Sequence, residues 1–404
     1  ESLHVGSLLP IVVLAQFRRH GHRPLALVGG ATGLIGDPSG KSEERNLLDA
    51  AQLEKNLAGI GAQIRNILDR ALQMHRDTAV SAATSDDDAV PLVNNADWMK
   101  PWSYIDFLRD VGRNFRVNAM LQKDSVRARL EERDQGISYT EFSYMLIQAY
   151  DFLHLFENRG CTLQVGGSDQ WGNITAGTDL IRRTHSKPAF GLTFPLLLSP
   201  TGQKFGKTEA GAVWLDPERT SPYEFYQYWV RREDVEVVNL LRKFTFLEEA
   251  VIAELAATVE RNENKGEVQK RLAYEVTWLV HGQAEADKAV RASKMLFGER
   301  IEGLTDRDLA VVFAEVPSST IDRERLAAGV NIVELLVETG LQASKGAARR
   351  LVEQGGGYVN NDRVEGPDTR VTLNDLASET KLVLRAGKRN YHVLALTGPD
   401  RPSA

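Results

Sequence analysis

Tyr144, Gln148 and Asp151 stand four and three residues apart within the run Tyr139-Thr-Glu-Phe-Ser-Tyr-Met-Leu-Ile-Gln-Ala-Tyr-Asp-Phe-Leu153. On a helix that spacing puts a phenol, an amide and a carboxylate on one face. Phe142, Met145, Leu146, Phe152 and Leu153 leave little of this helix for solvent. The polar face is then costly to bury unless something polar fills the gap between its groups. An exposed polar stripe is the competing reading. A second cluster follows in Cys161-Thr-Leu-Gln-Val-Gly-Gly-Ser-Asp-Gln-Trp-Gly-Asn173, where an apolar run ends in glycines and then polar side chains. A parallel sheet ends this way at its ligand-binding mouth: Gly166 and Gly167 admit a ligand to the backbone, and Ser168 or Asp169 is placed to cap the next helix. A cap explains one polar residue and leaves Gln164, Asp169, Gln170 and Asn173 over.

Cations complete the set. His4, Gly6 and Ser7 precede a helical run, Leu8 to His20, whose N-terminus favours an anion. Gly29-Gly-Ala-Thr-Gly-Leu-Ile-Gly-Asp-Pro-Ser-Gly-Lys-Ser42 follows a strand-like Pro24 to Val28 and carries Asp37, Lys41 and Arg45. It misses both the phosphate-loop and the dinucleotide spacing, because its glycines fall at 29, 30, 33, 36 and 40. A phosphate-loop hydrolase is disfavoured accordingly. In Ser199-Pro-Thr-Gly-Gln-Lys-Phe-Gly-Lys-Thr208, Lys204 and Lys207 flank a glycine and can both close on a phosphate chain.

The elements that must hold these residues alternate up to about residue 215. Strands are predicted at Pro24–Val28, Val90–Val93, around Leu163 and at Phe190–Leu198, separated by helices, including Asn46–Gln73 and stretches at 102–111 and 125–133. Asp77 to Ala89 reads as a solvated acidic loop. From Ser221-Pro222 to about Phe297 the strands vanish and helices run in succession, Val268–His281 among them. Val316 to Thr320 reads as a looser connection. From Asn331 a small α+β unit follows, with helices at Val333–Thr339 and after Ser344, and hairpins at 355–364 and 381–391. The fold class is thus α/β, divided as 1–215, 216–320 and 331–404.

With 42% apolar and 26% charged residues over 404 positions, the chain has the composition of a globular protein. The formal charge of -6 argues against a uniformly basic nucleic-acid coat but allows a local patch. One exists: Lys345, Arg349, Arg350, Arg363, Lys381, Arg385, Lys388 and Arg389 crowd into the last unit, an electrostatic footprint for RNA or DNA. The single Cys161 excludes an internal disulfide and a multi-cysteine metal site, and it points to a reducing compartment. No apolar run is long enough to cross a bilayer.

Taken in order, these pieces resemble the bacterial tyrosyl-tRNA synthetases. His4-Val-Gly-Ser7 is similar to the His-Ile-Gly-His signature of class I synthetases, and Lys204-Phe-Gly-Lys-Thr208 to their Lys-Met-Ser-Lys-Ser loop. Gly29 to Gly40, Glu141 to Tyr144, Gln148 to Asp151, Gly166 to Asn173 and Ser221 to Tyr226 resemble the tyrosine-specific members. The last unit resembles an RNA-binding domain shared with a ribosomal small-subunit protein. The resemblance implies a Rossmann-like catalytic domain, an anticodon-side helical domain and a small RNA-binding domain in a cytoplasmic homodimer. It also implies ATP-dependent activation of tyrosine and transfer to tRNA(Tyr), with Mg2+ carried by ATP and no other metal or tightly bound cofactor.

By the same resemblance, Asp151 accepts the substrate phenol's proton, Tyr144, Gln148 and Asp37 hold the ammonium group, Gln164 and Asn95 support the pocket, and Gln170 orients the carboxylate. Gly167 and Asp169 meet the ATP ribose, with Gly6 and Ser7 also on ATP. His4, Lys204 and Lys207 stabilise the phosphate and the leaving pyrophosphate, assisted by Lys41, Arg45 and Thr208. From the charge pattern, not the resemblance, Lys345, Arg349, Arg350, Arg385, Lys388 and Arg389 are expected to face RNA. Two departures stand out. Ser7 replaces the second signature histidine, and family members carry a strand and turn ahead of the signature that supply a tyrosine, an aspartate and a threonine. Either the start at Glu1 is trimmed, or the site lacks those groups. The alternative is a catalytically silent RNA-binding protein on the same fold, which the retained Asp37, Asp151, Lys204 and Lys207 oppose.

Overall fold

The computed structural model describes residues 2–37, 50–74, 89–123, 126–127, 130, 137–197, 205–208, 211–263, 266–295, 298–314, 316–388 and 390–397. Of the predicted site residues, Lys41, Arg45, Lys204 and Arg389 lie outside these, and the side chains of Lys207 and Thr208 are not described. The acidic loop before Ala89 and most of the 125–133 helix lie outside as well.

The chain forms two compact units, Glu1–Arg219 with Asp234–Glu263, and Thr220–Glu233 with Asn264–Ala404. The first is built on parallel strand pairs. β1 (Ala26–Val28) pairs with β2 (Leu92–Asn94), in register Val28 to Asn94, and β3 (Leu163–Gly167) with β4 (Phe190–Phe194), in register Gly167 to Phe194. Helices link the strands of each pair, as parallel pairing requires.

The helix Tyr139–Arg159 has clear causes at both ends. Ser138 accepts from Glu141 N–H at 3.3 Å, and Gly160 ends the helix at φ 64°. Its apolar side packs on the helix Trp171–His185 around Phe152, Ala149, Leu180 and Ile181. Gly177 allows that approach, since a Cβ there would sit 2.9 Å from the Phe152 ring and 3.5 Å from Ala149 Cα. Neither Ser168 nor Asp169 caps the second helix: Ser168–Gln170 turns as a 3-10 segment, and Gln170 precedes Trp171 with no side-chain cap bond. The polar side chains here are therefore not spent on a cap.

The second unit joins the helices Pro222–Val230, Glu267–His281 and Gln283–Met295 to a five-stranded sheet. β5 (Lys207–Thr208) and β6 (Gly211–Ala212) form a hairpin in the first unit, so the sheet begins with β7 (Ser318–Asp322). It continues through β9 (Gly357–Val359), β10 (Asp362–Arg363), β12 (Lys381–Ala386) and β13 (Asn390–Thr397), in the order β10-β9-β12-β13-β7. β8 (Val330–Asn331) and β11 (Arg370–Val371) pair separately. The looser connection expected at 316–320 is instead the start of β7, which runs parallel to β13 on the sheet edge. Of its five residues only Ile321 is buried, which is why its pattern carries so little apolar signal.

Candidate active site

Asn94 and Asn95 leave the end of β2 and stitch it to the loop after β1. Asn94 Oδ1 accepts from the Gly30 and Ala96 N–H groups, both at 3.0 Å, and Asn95 Oδ1 accepts from Ala31 N–H at 2.7 Å. Gly30 is needed there, because a Cβ would overlap Asn94 Oδ1 at 2.2 Å. Asn95 is fully buried, and its Nδ2 donates to Asp151 Oδ2 at 3.0 Å and to Thr32 Oγ1 at 3.1 Å.

Asp151 is 1% exposed. Besides Asn95, the indole Nε1–H of Trp98 donates to its Oδ1 at 2.8 Å. Burial pushes the carboxyl up to about 6 from its ordinary 3.8, against the pull of the Asn95 and Trp98 hydrogen bonds. The result is a buried, oriented acceptor that is ionised at neutral pH and has lone pairs to spare. Sequence reasoning placed Asp151 and Asn95 here and missed Trp98. The only signal was an indole three residues after the Asn94-Asn95 turn, which reads equally well as core.

A second network lies along the end of β3. Gln170 Nε2 donates to Asp37 Oδ2 at 2.6 Å and to Asp169 Oδ2 at 3.2 Å. Asn173 Nδ2 donates to Gln148 Oε1 at 3.0 Å and to Gln170 Oε1 at 3.2 Å. Asn173, absent from the predicted site, thus joins Gln148 to the Gln170, Asp37 and Asp169 group. Gln164 Oε1 is buried without a donor, an acceptor left over as a ligand-facing group would be. Tyr144 is half-buried on the same helix. A Cβ at Gly167 would meet Asp169 Oδ1 at 2.5 Å, so the carboxylate lies close over bare backbone.

The histidine signature and the lysine hairpin are laced together through backbone. Val5 N–H donates to Val213 O at 2.9 Å, Leu215 N–H to Leu3 O at 2.9 Å and Val213 N–H to Gly206 O at 3.0 Å, while His4 bridges to Trp214. Gly206 lies at φ 85°, and a Cβ there would come within 3.0 Å of Gly6 N. His4 Nδ1 accepts from Gly6 N–H at 3.0 Å, so the neutral ring carries its proton on Nε2. The β5–β6 hairpin, which pairs Lys207 with Ala212, is therefore built onto the His4 segment. Ser7 follows as the residue before the helix Leu8–Arg19 and makes no side-chain cap bond.

In the second unit Lys345, Arg349, Arg350 and Lys388 are exposed, Arg349 beside Asp368 at 2.9 Å. Arg385 departs from the expected RNA-facing set. It is 8% exposed, its guanidinium lies 3.7 Å over the Tyr358 ring, and Nε has no acceptor. The alternation of β12 puts it on the face with Val383, which packs on Met295, Ile301 and Phe313. Among the described residues no His, Cys, Asp and Glu cluster is arranged to hold a metal, and no helix is long and apolar enough to cross a membrane.

A family model described as tRNA synthetases class I (W and Y) matches residues 1–298, and the chain belongs to that class. A second model, the Tyrosine–tRNA ligase SYY-like C-terminal domain, matches residues 308–394. The tyrosine–tRNA ligase of Rhodopirellula baltica is 52% identical over 396 residues, spanning 98% of this chain and 87% of the relative. That of Roseiflexus castenholzii is 49% identical over 397 residues, with 98% and 90% covered. Within its class the chain is thus a member of the tyrosine–tRNA ligase family. A C-terminally truncated mitochondrial tyrosyl-tRNA synthetase from Aspergillus nidulans shares the fold, with a TM-score of 0.65 at 34% identity over 73% of this chain and 82% of that one.

Proposed function

We propose that this chain activates L-tyrosine with ATP and transfers the tyrosyl group to tRNA(Tyr). The tyrosine carboxylate attacks the α-phosphate, an O–P bond forms, and the bond to pyrophosphate breaks. A 3′ ribose hydroxyl of the tRNA then takes the acyl group and AMP leaves. The chemistry needs positioning and charge neutralisation rather than a covalent nucleophile.

The observation that carries the reading is the buried Asp151 carboxylate, held by Asn95 on one oxygen and Trp98 on the other. It accepts the substrate phenol. A substrate without the hydroxyl leaves that carboxylate unpaired in a buried site, a discrimination rule for which this family is itself a standing example. Tyr144, Gln148 and Asp37 take the ammonium group, Gln164 and Asn95 support the pocket, and Gln170 orients the carboxylate. Gly167 and Asp169 receive the ribose. Gly6 and Ser7 meet ATP, while His4, Lys204, Lys207 and Thr208, with Lys41 and Arg45, neutralise the phosphates. Mg2+ arrives with ATP. Lys345, Arg349, Arg350, Lys388 and Arg389 bind tRNA, whereas Arg385 braces the sheet beneath them.

The working form is a cytoplasmic homodimer. Tyr104, Ile105 and Tyr139 are 61%, 69% and 62% exposed, an unusual outlay of large side chains, with the two tyrosine hydroxyls 3.1 Å apart. A second copy would cover them, and Ile105→Asp would then yield monomers in sedimentation. Tyrosine-dependent exchange of labelled pyrophosphate into ATP tests the activity, with phenylalanine and tryptophan as controls. Exchange with tyrosine alone is expected. Equal exchange with phenylalanine would overturn the role given to Asp151.

A further inference from the structure

The helix Tyr139–Arg159 meets Trp98 twice. Asp151 takes the indole N–H at 2.8 Å, and His154, three residues on and so on the same face, stacks on the indole with ring centroids 4.5 Å apart and planes 15° from parallel. Trp98 itself sits in a helix of only four residues, Ala96–Met99, which gives little local reason for one ring orientation. A hydrogen bond alone sets the direction of the N–H and leaves the ring plane free to tilt about it. The stack removes that freedom.

His154 is backed in turn. Tyr150 lies 6.2 Å from it and packs among Trp102 and Phe107, while Asn158 Nδ2 approaches its Nδ1 at 3.4 Å. The charged groups acting on it are Glu157, which His185 binds at 2.6 Å, and Arg159. Burial lowers the imidazole pKa, so at working pH the face presented to Trp98 is a neutral ring.

We propose that His154 is a positioning residue for tyrosine selection: by fixing the plane of Trp98 it aims the indole N–H at Asp151 Oδ1 and thereby sets which lone pairs of the carboxylate meet the substrate phenol. The inference rests on the tyrosine-activating reading above. Its effect follows from the size of an aromatic pair, about two- to tenfold in an equilibrium. Loss of the stack weakens a hydrogen bond that favours the charged carboxylate and leaves burial less opposed, so Asp151 should bind its proton more tightly.

The test compares the unsubstituted chain with His154→Ala and His154→Phe. Carbon-13 carboxyl titration, with the Asp151 signal assigned by its loss in Asp151→Asn, should show the Ala variant's pKa raised above about 6, corresponding to as much as about tenfold in proton affinity, and the Phe variant's restored. In pyrophosphate exchange the Ala variant should raise KM for tyrosine about two- to tenfold, leave KM for ATP unchanged and narrow the preference over phenylalanine. An Ala variant that titrates and discriminates like the unsubstituted chain would overturn the inference, as would a Phe variant as impaired as Ala. Absence of tyrosine-dependent exchange in the unsubstituted chain would overturn the proposed function instead, and the carboxyl titration would still decide whether His154 governs Asp151.

Discussion

Asp151→Asn separates what the buried carboxylate does for binding from what it costs the fold. Its pKa lies near 6 in the folded chain against an ordinary 3.8, so the folded state holds the proton more tightly than the unfolded state does. Below about pH 4 both states are protonated and the group contributes nothing. Between the two values the folded state binds more protons, so stability falls as pH rises, and above about pH 6 the full penalty is present. A difference of 2.2 pH units amounts to about 3 kcal/mol. The asparagine removes that penalty. It also turns one acceptor oxygen into a donor, so the Asn95 or the Trp98 N–H loses its partner at about 1–3 kcal/mol.

The variant should therefore be less stable than the unsubstituted chain near pH 4.5 and equal or more stable at pH 7.5. Urea-unfolding midpoints at the two pH values read this crossing directly. Activity should move the other way. Losing a charge-assisted bond to the phenol costs about 1.5–3 kcal/mol, roughly ten- to a hundredfold in kcat/KM for tyrosine, with phenylalanine far less affected. A stability difference that does not change with pH would refute the burial argument. An unaltered preference for tyrosine would refute the placement of the phenol.

Lys207→Ala should slow tyrosyl-adenylate formation while leaving tyrosine binding nearly intact; equilibrium dialysis in which binding vanished too would sink that division of labour. The double variant Lys345→Glu, Arg350→Glu should lower tRNA charging, most strongly at low salt, and spare pyrophosphate exchange. Unchanged charging at low salt would remove this helix from the RNA surface. Asn361→Ala removes hydrogen bonds to Met295 O and Glu299 O at 2.8 and 2.7 Å and places alanine at φ 67°. It should destabilise the second unit by about 2–4 kcal/mol, and a wild-type melting profile would show that these two hydrogen bonds do not hold the turn.

What could be read from the chain was whatever local spacing encodes. The face shared by Gln148 and Asp151, the helix start at Ser221-Pro222, and the hairpin of β12 and β13 each follow from a few neighbouring residues. What escaped depends on partners far along the chain. Trp98 joins the site only because Asp151, 53 residues later, takes its N–H. Asn173, which the sequence leaves over, is a link because Gln148 comes down beside it from another helix. Neither partner is given by local spacing.

Arg385 makes the same point with opposite sign. Charge counting put it on the RNA surface, since composition records that an arginine is present and not which way its strand turns it. Yet β12 is a central strand, and its two faces are both covered. Leu382, Leu384 and Ala386 enter the core beneath the helices Ile332–Glu338 and Lys345–Glu353, while Val383 enters the core formed with Ala292, Met295 and Phe313. An arginine on the second face is left with little exposure to solvent, 8% for Arg385. It is retained there by stacking on Tyr358, and Gly298 leaves it room, since an added Cβ at that glycine would come within 3.4 Å of its Nη1. Of the expected RNA-facing set, the described residues that are exposed, Lys345, Arg349, Arg350 and Lys388, are carried by a helix and a hairpin tip of the same unit. The central strand β12 is thus buried on both faces, while the cations of the helix Lys345–Glu353 and of the β12–β13 turn stay at the surface of their unit.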